Sequence, residues 1–340
     1  MTLTKMIQLA LGSVGSRLVG AGISLITQLL LTRNFPAADV GVIFLAMSMA
    51  AIFSLVASAG YPSLSLTQLP RFQALGLHRM VEAFHGAFLR DFAAVSLLLS
   101  ASVALIVIFA PIDPGLRIAL IFGCLSAVPS ALMRYNGSLA NTLRRYGLAF
   151  LPDFFFRPGL FFLYVAGAFA LGFKLSLLHV LWVFIASNTL VSVVWAWFMR
   201  RDGLKLSDWF KARPRLTTAL RGKLLALTIV AAVTTLFADV VTLIGGLMLP
   251  HEDVAVLGLT IRLAGLAGFV IQASQQFVLS DLTHAITVHD SKTANGILMR
   301  MNLMTIVTVV AALLGAILLG RFFLSFFGPG YADGQWLLVL

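Results

Sequence analysis

The chain has 340 residues, of which 60% are hydrophobic and only 11% are charged, and its mean hydropathy is +0.98. This balance excludes an ordinary soluble domain and predicts an all-α polytopic membrane protein. The single cysteine, Cys124, lies in an apolar run and can form no internal disulfide, so cysteine usage gives no indication of a redox compartment.

Apolar runs long enough to cross a bilayer, about 20 residues each, recur along the whole chain. The first run is too long for a signal peptide and is interrupted by Arg17, so we expect it to remain as a helix. Gly60, Pro62 and Pro70 predict a bend near the end of the second helix. The predicted spanning helices are Met6–Thr32, Val40–Leu66, Phe92–Ala110, Leu116–Leu139, Pro152–Phe173, Leu175–Met199, Leu224–Leu249, Val254–Ser280 and Leu303–Leu319, with a tenth beginning near Gln335.

The basic residues in the loops predict the orientation, because Lys and Arg beside spanning helices stay on the cytoplasmic side. With the N-terminus inside, the outside loops hold only four basic residues, Arg33, Arg117, Lys174 and Arg321. Residues 200–223, on the inside, contain eight. This distribution accounts for the net charge of +11 and predicts contact with anionic membrane lipids. No basic stripe with interleaved aromatic residues occurs elsewhere, so we expect no nucleic-acid partner.

A short phrase occurs twice. FPAADVGV, from Phe35, has a near copy in LPHEDVAV, 214 residues further along the chain. The same shift carries Pro36 onto Pro250 and Asp39 onto Asp253. In each copy the proline ends or redirects one helix, and the aspartate is placed to cap the next helix or to interact with its positive end. Such a turn is also an ordinary way to begin a helix.

The repeat extends beyond the phrase, since helices one to three map onto helices seven to nine with the same orientation. This predicts a parallel duplication, with two helix bundles around a central cavity. The predicted domains are a first six-helix bundle (1–200), a basic cytoplasmic linker (201–223) and a second bundle (224–340). The second bundle contains three helices and the start of a fourth, so we expect it to be truncated.

Several degenerate motifs together resemble the polysaccharide-biosynthesis flippases of the Wzx type. Those flippases belong to the multidrug/oligosaccharidyl-lipid/polysaccharide exporter superfamily, which also holds multidrug and toxin extruders and the lipid II flippase. The motifs are LTRNFPAADVGVIFLAMSMAAIF, SAGYPSLSL, FADVVTLIGGLMLPHEDVAVLGLTIRLAGLAGF and FFGPGYADG. The resemblance covers essentially the whole chain, although the family has more helices in its second bundle.

The resemblance implies a MATE-like fold and a function. The chain would translocate a polyprenyl-pyrophosphate-linked oligosaccharide across the bacterial cytoplasmic membrane for cell-surface polysaccharide synthesis. Its partners would be that substrate, membrane lipids and other polysaccharide-assembly proteins. The alternative within the superfamily is an ion-coupled multidrug exporter. Because the deep charges of this chain are mostly arginines, an anionic cargo is favoured over an organic cation.

Charged residues inside spanning segments are the candidate site residues, because they are costly there and usually functional. Arg17 lies in the inner half of helix one, where it either snorkels to the headgroups or binds pyrophosphate. Asp239 and Arg262 each lie about 15 Å from the turn at Pro250, near the midplane. They either form a buried ion pair, or Arg262 binds the anionic headgroup while Asp239 binds the driving proton or cation. Related exporters often carry an acidic residue in helix seven, and Asp239 matches that placement.

Three further charges, Arg134, Asp153 and Arg157, lie near the inner ends of helices four and five. They are predicted either to snorkel and pair with one another or to form a basic vestibule in which Arg134 and Arg157 first bind the headgroup.

No enzyme motif is present, since the sequence has no HExxH, paired cysteines, phosphate-binding Gly-Lys-Ser loop or GxSxG. His251, Glu252 and Asp253 form a run more typical of a helix start than of a metal site. We therefore predict no catalytic activity, metal or cofactor. The alternative from another class is a membrane-embedded polysaccharide polymerase or ligase, which usually has a sizeable outside loop that this sequence lacks.

Overall fold

The structure is a computed structural model that describes residues 3–143, 145–201, 218–266, 268 and 291–339. Every regular element in this part of the chain is helical, and a π-helical turn (Pro152–Phe156) and a 3₁₀ turn (Pro329–Gly334) interrupt the α-helices. The α-helices are α1 (Leu3–Asn34), α2 (Ala37–Ser58), α3 (Tyr61–Ala74), α4 (His78–Phe109), α5 (Pro114–Thr142), α6 (Tyr146–Leu151), α7 (Arg157–Ala170), α8 (Leu177–Arg201), α9 (Thr218–Thr235), α10 (Phe237–Met248), α11 (251–266), α12 (Ser291–Ser325) and α13 (Gln335–Val339).

Six spans among the described residues are long and apolar enough to cross a membrane, and a seventh is counted if the bent pair of α9 and α10 forms one span. The chain is therefore a multi-pass membrane protein. Each predicted spanning segment has a helical counterpart, although the far end of the predicted helix Val254–Ser280 lies outside the described residues. The predicted linker 201–223 also falls largely outside them, so the domain boundaries stay a prediction.

The chain forms two compact units. The terminal unit consists of Met1–Phe35 with Val256–Leu340, and the middle unit consists of Pro36–Ala255. Within the terminal unit, the Nε of Arg33 donates to the carbonyl of Phe326 at 2.7 Å, which ties the end of α1 to the end of α12. The side chain of Gln335 donates to the carbonyl of Ile317 at 2.7 Å and so holds α13 against α12.

Helix α5 is the centre of the middle unit, where it packs against α2, α3, α4, α6 and α8. Gly123 permits this packing, because a Cβ there would collide with Met49 and lie 3.2 Å from the carbonyl oxygen of Ala46. Small residues allow helix backbones to approach closely in membranes. An aromatic cluster that includes Tyr61, Phe88 and Tyr135 fills the space between α3, α4 and α5.

The helix boundaries confirm the predicted duplication. A shift of 214 residues carries the end of α1 at Asn34 onto the end of α10 at Met248, and the start of α2 at Ala37 onto the start of α11 at 251. It also brings both ends of α4 to within two residues of those of α12. The two turns have the same hydrogen bond, because Val40 and Val254 each donate to the carbonyl of the preceding proline at 3.1 Å.

One detail of the predicted turn is wrong, since Asp39 does not cap α2. The N-cap of that helix is Pro36, and no side chain caps the N–H groups of the first helical turn. Asp39 lies within that first helical turn. A carboxylate at that position still interacts favourably with the positive end of the helix. Pro36 and Pro250 both redirect the chain between helices, as predicted.

The predicted bend near Gly60 is confirmed. Ala59 and Gly60 both adopt left-handed conformations, with φ of 46° and 73°, and they separate α2 from α3. The predicted spanning helix Leu224–Leu249, in contrast, is not one straight helix, because α9 and α10 meet at a bend of 71°. Just before the bend, the hydroxyl of Thr235 donates to the carbonyl of Ala231 at 2.6 Å, and such back-bonding weakens and bends helices.

Two glycines test how closely α9 approaches the break between α2 and α3. Gly60 and Gly76 both have positive φ, so alanine at either site costs about 1–2 kcal/mol of conformational energy. A Cβ at Gly60 would also collide with the carbonyl of Leu224 and lie 2.8 Å from the hydroxyl of Thr228, whereas a Cβ at Gly76 would meet nothing within 4 Å. We expect Gly60→Ala to lower the free energy of unfolding by about 1–3 kcal/mol more than Gly76→Ala. Thermal unfolding in detergent measures the stability of both variants. Equal losses of stability in Gly60→Ala and Gly76→Ala would contradict the close approach of α9 to Gly60.

Candidate functional site

A cavity of about 280 Å³ opens in the middle unit where several helix irregularities meet. Its walls come from the break between α2 and α3, the second half of α5, the π-helical turn after α6 and the side of α9. Polar and aromatic side chains share the lining, among them Ser63, Asn141, Thr235, Phe150 and Phe154. One arginine, Arg134, and one aspartate, Asp153, also line it.

The π-helical turn places Asp153 at the cavity. Pro152 has no N–H, so the carbonyl of Leu148, one helical turn earlier, cannot receive its usual backbone hydrogen bond. The indole Nε1 of Trp195 on α8 donates to that carbonyl instead, at 2.6 Å. The wider turn closes when the N–H of Arg157 donates to the carbonyl of Pro152. Single π-turns inside helices often occur at functional sites, because they redirect side chains.

Hydroxyl groups hold the wall formed by α3 and α5. Ser138 on α5 donates a short hydrogen bond to the carbonyl of Pro62, and Ser65 on α3 donates to the same carbonyl at 2.8 Å. The two hydroxyl oxygens are 2.5 Å apart. Hydrogen bonds between helices are the ordinary way to satisfy polar side chains in a bilayer. These bonds fix the first turn of α3 beside the cavity.

Arg134 carries a half-buried charge on α5 and interacts electrostatically with Asp153, Arg157 and Asp239. Arg157 and Asp153 form an ion pair with an Nη2–Oδ1 distance of 3.0 Å, in which both side chains are about one-third exposed. The predicted pairing of these two residues is therefore confirmed. Two arginines and two aspartates balance one another, so the cluster as a whole is close to neutral.

Asp239 also belongs to this cluster, since its charge acts on Arg134. It lies in the first turn of α10, where the N-terminal end of a helix stabilises a carboxylate. The sequence placed Asp239 near the midplane but gave no indication that it would interact with Arg134, which lies on a helix far away in the chain. The bend could have been suspected from Thr234 and Thr235, since threonine back-bonding weakens helices.

The remaining predicted site residues belong to the terminal unit. Arg262 lies in α11, is half-buried, and donates from Nη1 to the carbonyl of Gly258 at 3.0 Å. Arg17 lies within α1, and its side chain falls outside the described part. The predicted pairing of Asp239 with Arg262, and the roles of Arg17 and Arg262 in binding, therefore stay predictions.

Metal-ligating side chains do not gather in the part of the chain that the structure describes. No group of three or more His, Cys, Asp or Glu residues is placed to hold an ion there. Cys124 is buried on α5. The cluster around Arg134 can bind an anion at a guanidinium group. It can also bind and release a cation at the carboxylates of Asp153 and Asp239.

The cluster predicts that loss of Asp153 is more damaging than loss of Arg157. Asp153→Asn removes the ion pair and one of the negative charges that balance Arg134. Arg157→Gln breaks the same pair but also removes a positive charge that repels Arg134. We expect Asp153→Asn to reduce the free energy of unfolding by about 1 kcal/mol or more relative to Arg157→Gln. Thermal unfolding in detergent measures both, with Glu82→Gln on the exposed side of α4 as a control for loss of a carboxylate. A larger loss of unfolding free energy in Arg157→Gln than in Asp153→Asn would contradict the proposed balance of charges around Arg134.

Comparison with known proteins shows the fold. No family model and no curated protein matches the chain. The chain is similar to a solved structure described as the inward-facing conformation of a multidrug resistance MATE family transporter of the MOP superfamily. The TM-score is 0.67 at 11% sequence identity, over 96% of this chain and 79% of that one. The chain therefore has the fold of a MATE transporter, which confirms the predicted fold class.

Proposed function

We propose that the protein is a transporter that moves an anionic, lipid-linked headgroup across the membrane. The substrate we infer is a polyprenyl-pyrophosphate-linked oligosaccharide, and the protein acts as its flippase in the bacterial cytoplasmic membrane. The observation that carries the proposal is Arg134, a half-buried guanidinium that lines a cavity of a transporter fold. A cationic group inside the bilayer is expensive and is normally retained for function.

The cluster suggests how an anion would bind. Without ligand, Asp153 and Asp239 balance the charge of Arg134. A pyrophosphate would form charge-assisted, bidentate hydrogen bonds with the guanidinium and replace that interaction. The hydroxyl and amide groups of Ser63, Asn141 and Thr235 would then bond to sugar hydroxyls.

Ion coupling follows from the same competition. Proton or cation binding at Asp239 would remove a negative charge from the cluster and free Arg134 for the substrate. Release of the ion would restore the balance and expel the headgroup. In this scheme Arg157 supports the vestibule beside Arg134, and Arg17 and Arg262 of the terminal unit stay further candidates for binding the headgroup.

A multidrug exporter is the second candidate. It is favoured by the carboxylate of Asp153 at the cavity and by the aromatic Phe150 and Phe154, which suit an organic cation. The solved relative in fold is itself described as a multidrug resistance transporter. We place the flippase first because Arg134 would repel a cationic drug. A polymerase or ligase is less suited, because the described connections after α1 and α4 are short.

The cellular setting belongs to the same proposal. The N-terminus lies in the cytoplasm, the basic linker 201–223 contacts anionic lipid, and other polysaccharide-assembly proteins supply and receive the substrate.

A flipping assay tests the substrate. Liposomes containing the protein are loaded with a fluorescent polyprenyl-pyrophosphate sugar, and its movement between leaflets is followed by quenching. We expect Arg134→Gln to reduce the rate at least tenfold, since one charge-assisted contact contributes about 1.5–3 kcal/mol. Arg134→Lys should restore only part of the flipping rate, because lysine lacks the planar guanidinium group of arginine.

Arg117→Gln, at an exposed arginine on the same helix, is the matched control. Flipping at the normal rate by well-folded Arg134→Gln would overturn the proposal, and ethidium export by the same liposomes would favour the drug exporter.

Asp239→Asn tests ion coupling. The amide retains the size of the side chain but cannot bind or release a proton, so we expect transport to lose its dependence on a proton or sodium gradient. Asp253→Asn is the control, because Asp253 is an exposed aspartate in the first turn of α11. Unchanged gradient dependence in Asp239→Asn would remove Asp239 from the coupling role.

A further inference from the structure

The cavity around Arg134 extends along α5 toward the end of that helix. Arg134, Gly137, Ser138 and Asn141 all line it. Residues that recur every three or four positions share one face of a helix. Arg134 and Asn141 are therefore two turns apart on that face, about 10 Å along the helix axis. A ligand that binds the guanidinium can reach the amide of Asn141 with the group attached to it.

The segment after α5 adds aromatic rings to the same cavity. A Cβ at Gly137 would lie 3.0 Å from the carbonyl oxygen of Ala149, so the absence of a side chain there lets α6 lie against α5. The next residue, Phe150, lines the cavity, and so does Phe154 one turn later. Their ring centroids are 6.4 Å apart and the rings are tilted by 41°. The cavity thus has polar groups on α5 and aromatic rings on α6 and the π-helical turn.

This combination of side chains suits a sugar ring. The C–H groups on one face of a sugar pack against aromatic rings, whose faces are negatively polarised. The hydroxyl groups at the edge of the ring need both donors and acceptors, and the amide of Asn141 offers both. Ser63, in the first turn of α3, adds a hydroxyl group to the lining. A sugar bound between these groups would have its apolar face and its hydroxyl groups satisfied.

The charges of the lining restrict which sugar fits. Among the described residues that line this cavity, Arg134 is the one cation and Asp153 is the one anion. Arg145, four residues beyond Asn141, is exposed and is not part of the lining. A pyrophosphate would already engage Arg134, so a carboxylate on the adjoining sugar would enter the cavity without a cation of its own. Such a charge is costly to desolvate, whereas hydroxyl groups can bond to amide and hydroxyl side chains.

The size of the cavity limits how much of the ligand it selects. Its volume of about 280 Å³ is smaller than the pockets of about 300–1,000 Å³ that enclose whole small-molecule ligands. We propose that Asn141 and Phe150 form a subsite for the sugar attached to the pyrophosphate, and that this subsite takes an uncharged sugar in preference to an acidic one. The inference rests on the proposed flippase function and adds the class of its substrate. Sugars further along the oligosaccharide extend beyond the cavity and do not affect the choice.

A binding experiment separates the sugar subsite from the anion site. The full chain in nanodiscs is titrated calorimetrically with three probes that share one short prenyl chain and one pyrophosphate. The pyrophosphate is capped with methyl, glucose or glucuronic acid. We expect the glucose probe to bind roughly three- to tenfold more tightly than the methyl probe, as for one or two hydrogen bonds. The glucuronic acid probe should bind at least about tenfold more weakly than the glucose probe, because its extra charge lacks a partner.

Substitutions at Asn141 test the subsite itself. Asn141→Leu removes the amide at similar size, so the glucose probe should lose its advantage while the methyl probe binds within about twofold of normal. Asn141→Lys supplies a cation beside the sugar, so the glucuronic acid probe should bind at least as tightly as the glucose probe. Phe150→Leu should weaken the glucose probe more than the methyl probe. Gln73→Leu, at an exposed amide on α3, is the matched control and should keep all three affinities.

The methyl probe distinguishes failure of the subsite from failure of the proposed function. Normal binding of this probe shows that a variant is folded and that the anion site is intact. Equal binding of the glucose and glucuronic acid probes to the unsubstituted protein would overturn the subsite and leave the flippase function standing. A preference for glucose that survives in Asn141→Lys would do the same. Absence of binding by all three probes to folded, unsubstituted protein would overturn both the subsite and the flippase function.

Discussion

The position of Arg134 is the constraint on which the middle unit depends. A guanidinium on the central helix of an apolar bundle is costly to bury in a bilayer, and the surrounding helices bring compensating charge to it. They do so through their irregularities. The π-helical turn presents Asp153, and the bend between α9 and α10 presents Asp239 at the positive end of a helix.

The same irregularities make room for a ligand. Where α2 ends at Ala59, the left-handed turn moves the first residues of α3 aside and brings Gly60 against α9. Side chains hydrogen-bond to backbone carbonyls at these places, as suits the interior of a bilayer. Ser138 and Ser65 bond to the carbonyl of Pro62, and Trp195 bonds to the carbonyl of Leu148. The cavity and the charge cluster therefore both depend on irregular turns in a few short segments.

Much of this architecture could be predicted from the sequence because it is encoded locally. Apolar runs predict the spans, Gly60 and Pro62 predict the bend, and the repeated phrase around Pro36 and Pro250 predicts the duplication. The pairing of Asp153 with Arg157 follows from their spacing of four residues on one helix. The bend before α10 was missed because hydrophobicity continues through it. The approach of Asp239 to Arg134 depends on tertiary packing that no local pattern contains.

The hydrogen bond from Trp195 to the carbonyl of Leu148 has a consequence for spectroscopy. The indole replaces a backbone donor just before the π-helical turn, and its ring lies 6.0 Å from that of Phe156 within that turn. Indole emission responds to hydrogen bonding at Nε1 and to the polarity around the ring. Any rearrangement of the turn that carries Asp153 must change both. With the other tryptophans replaced, Trp195 would act as a built-in fluorescent reporter of the π-helical turn that carries Asp153.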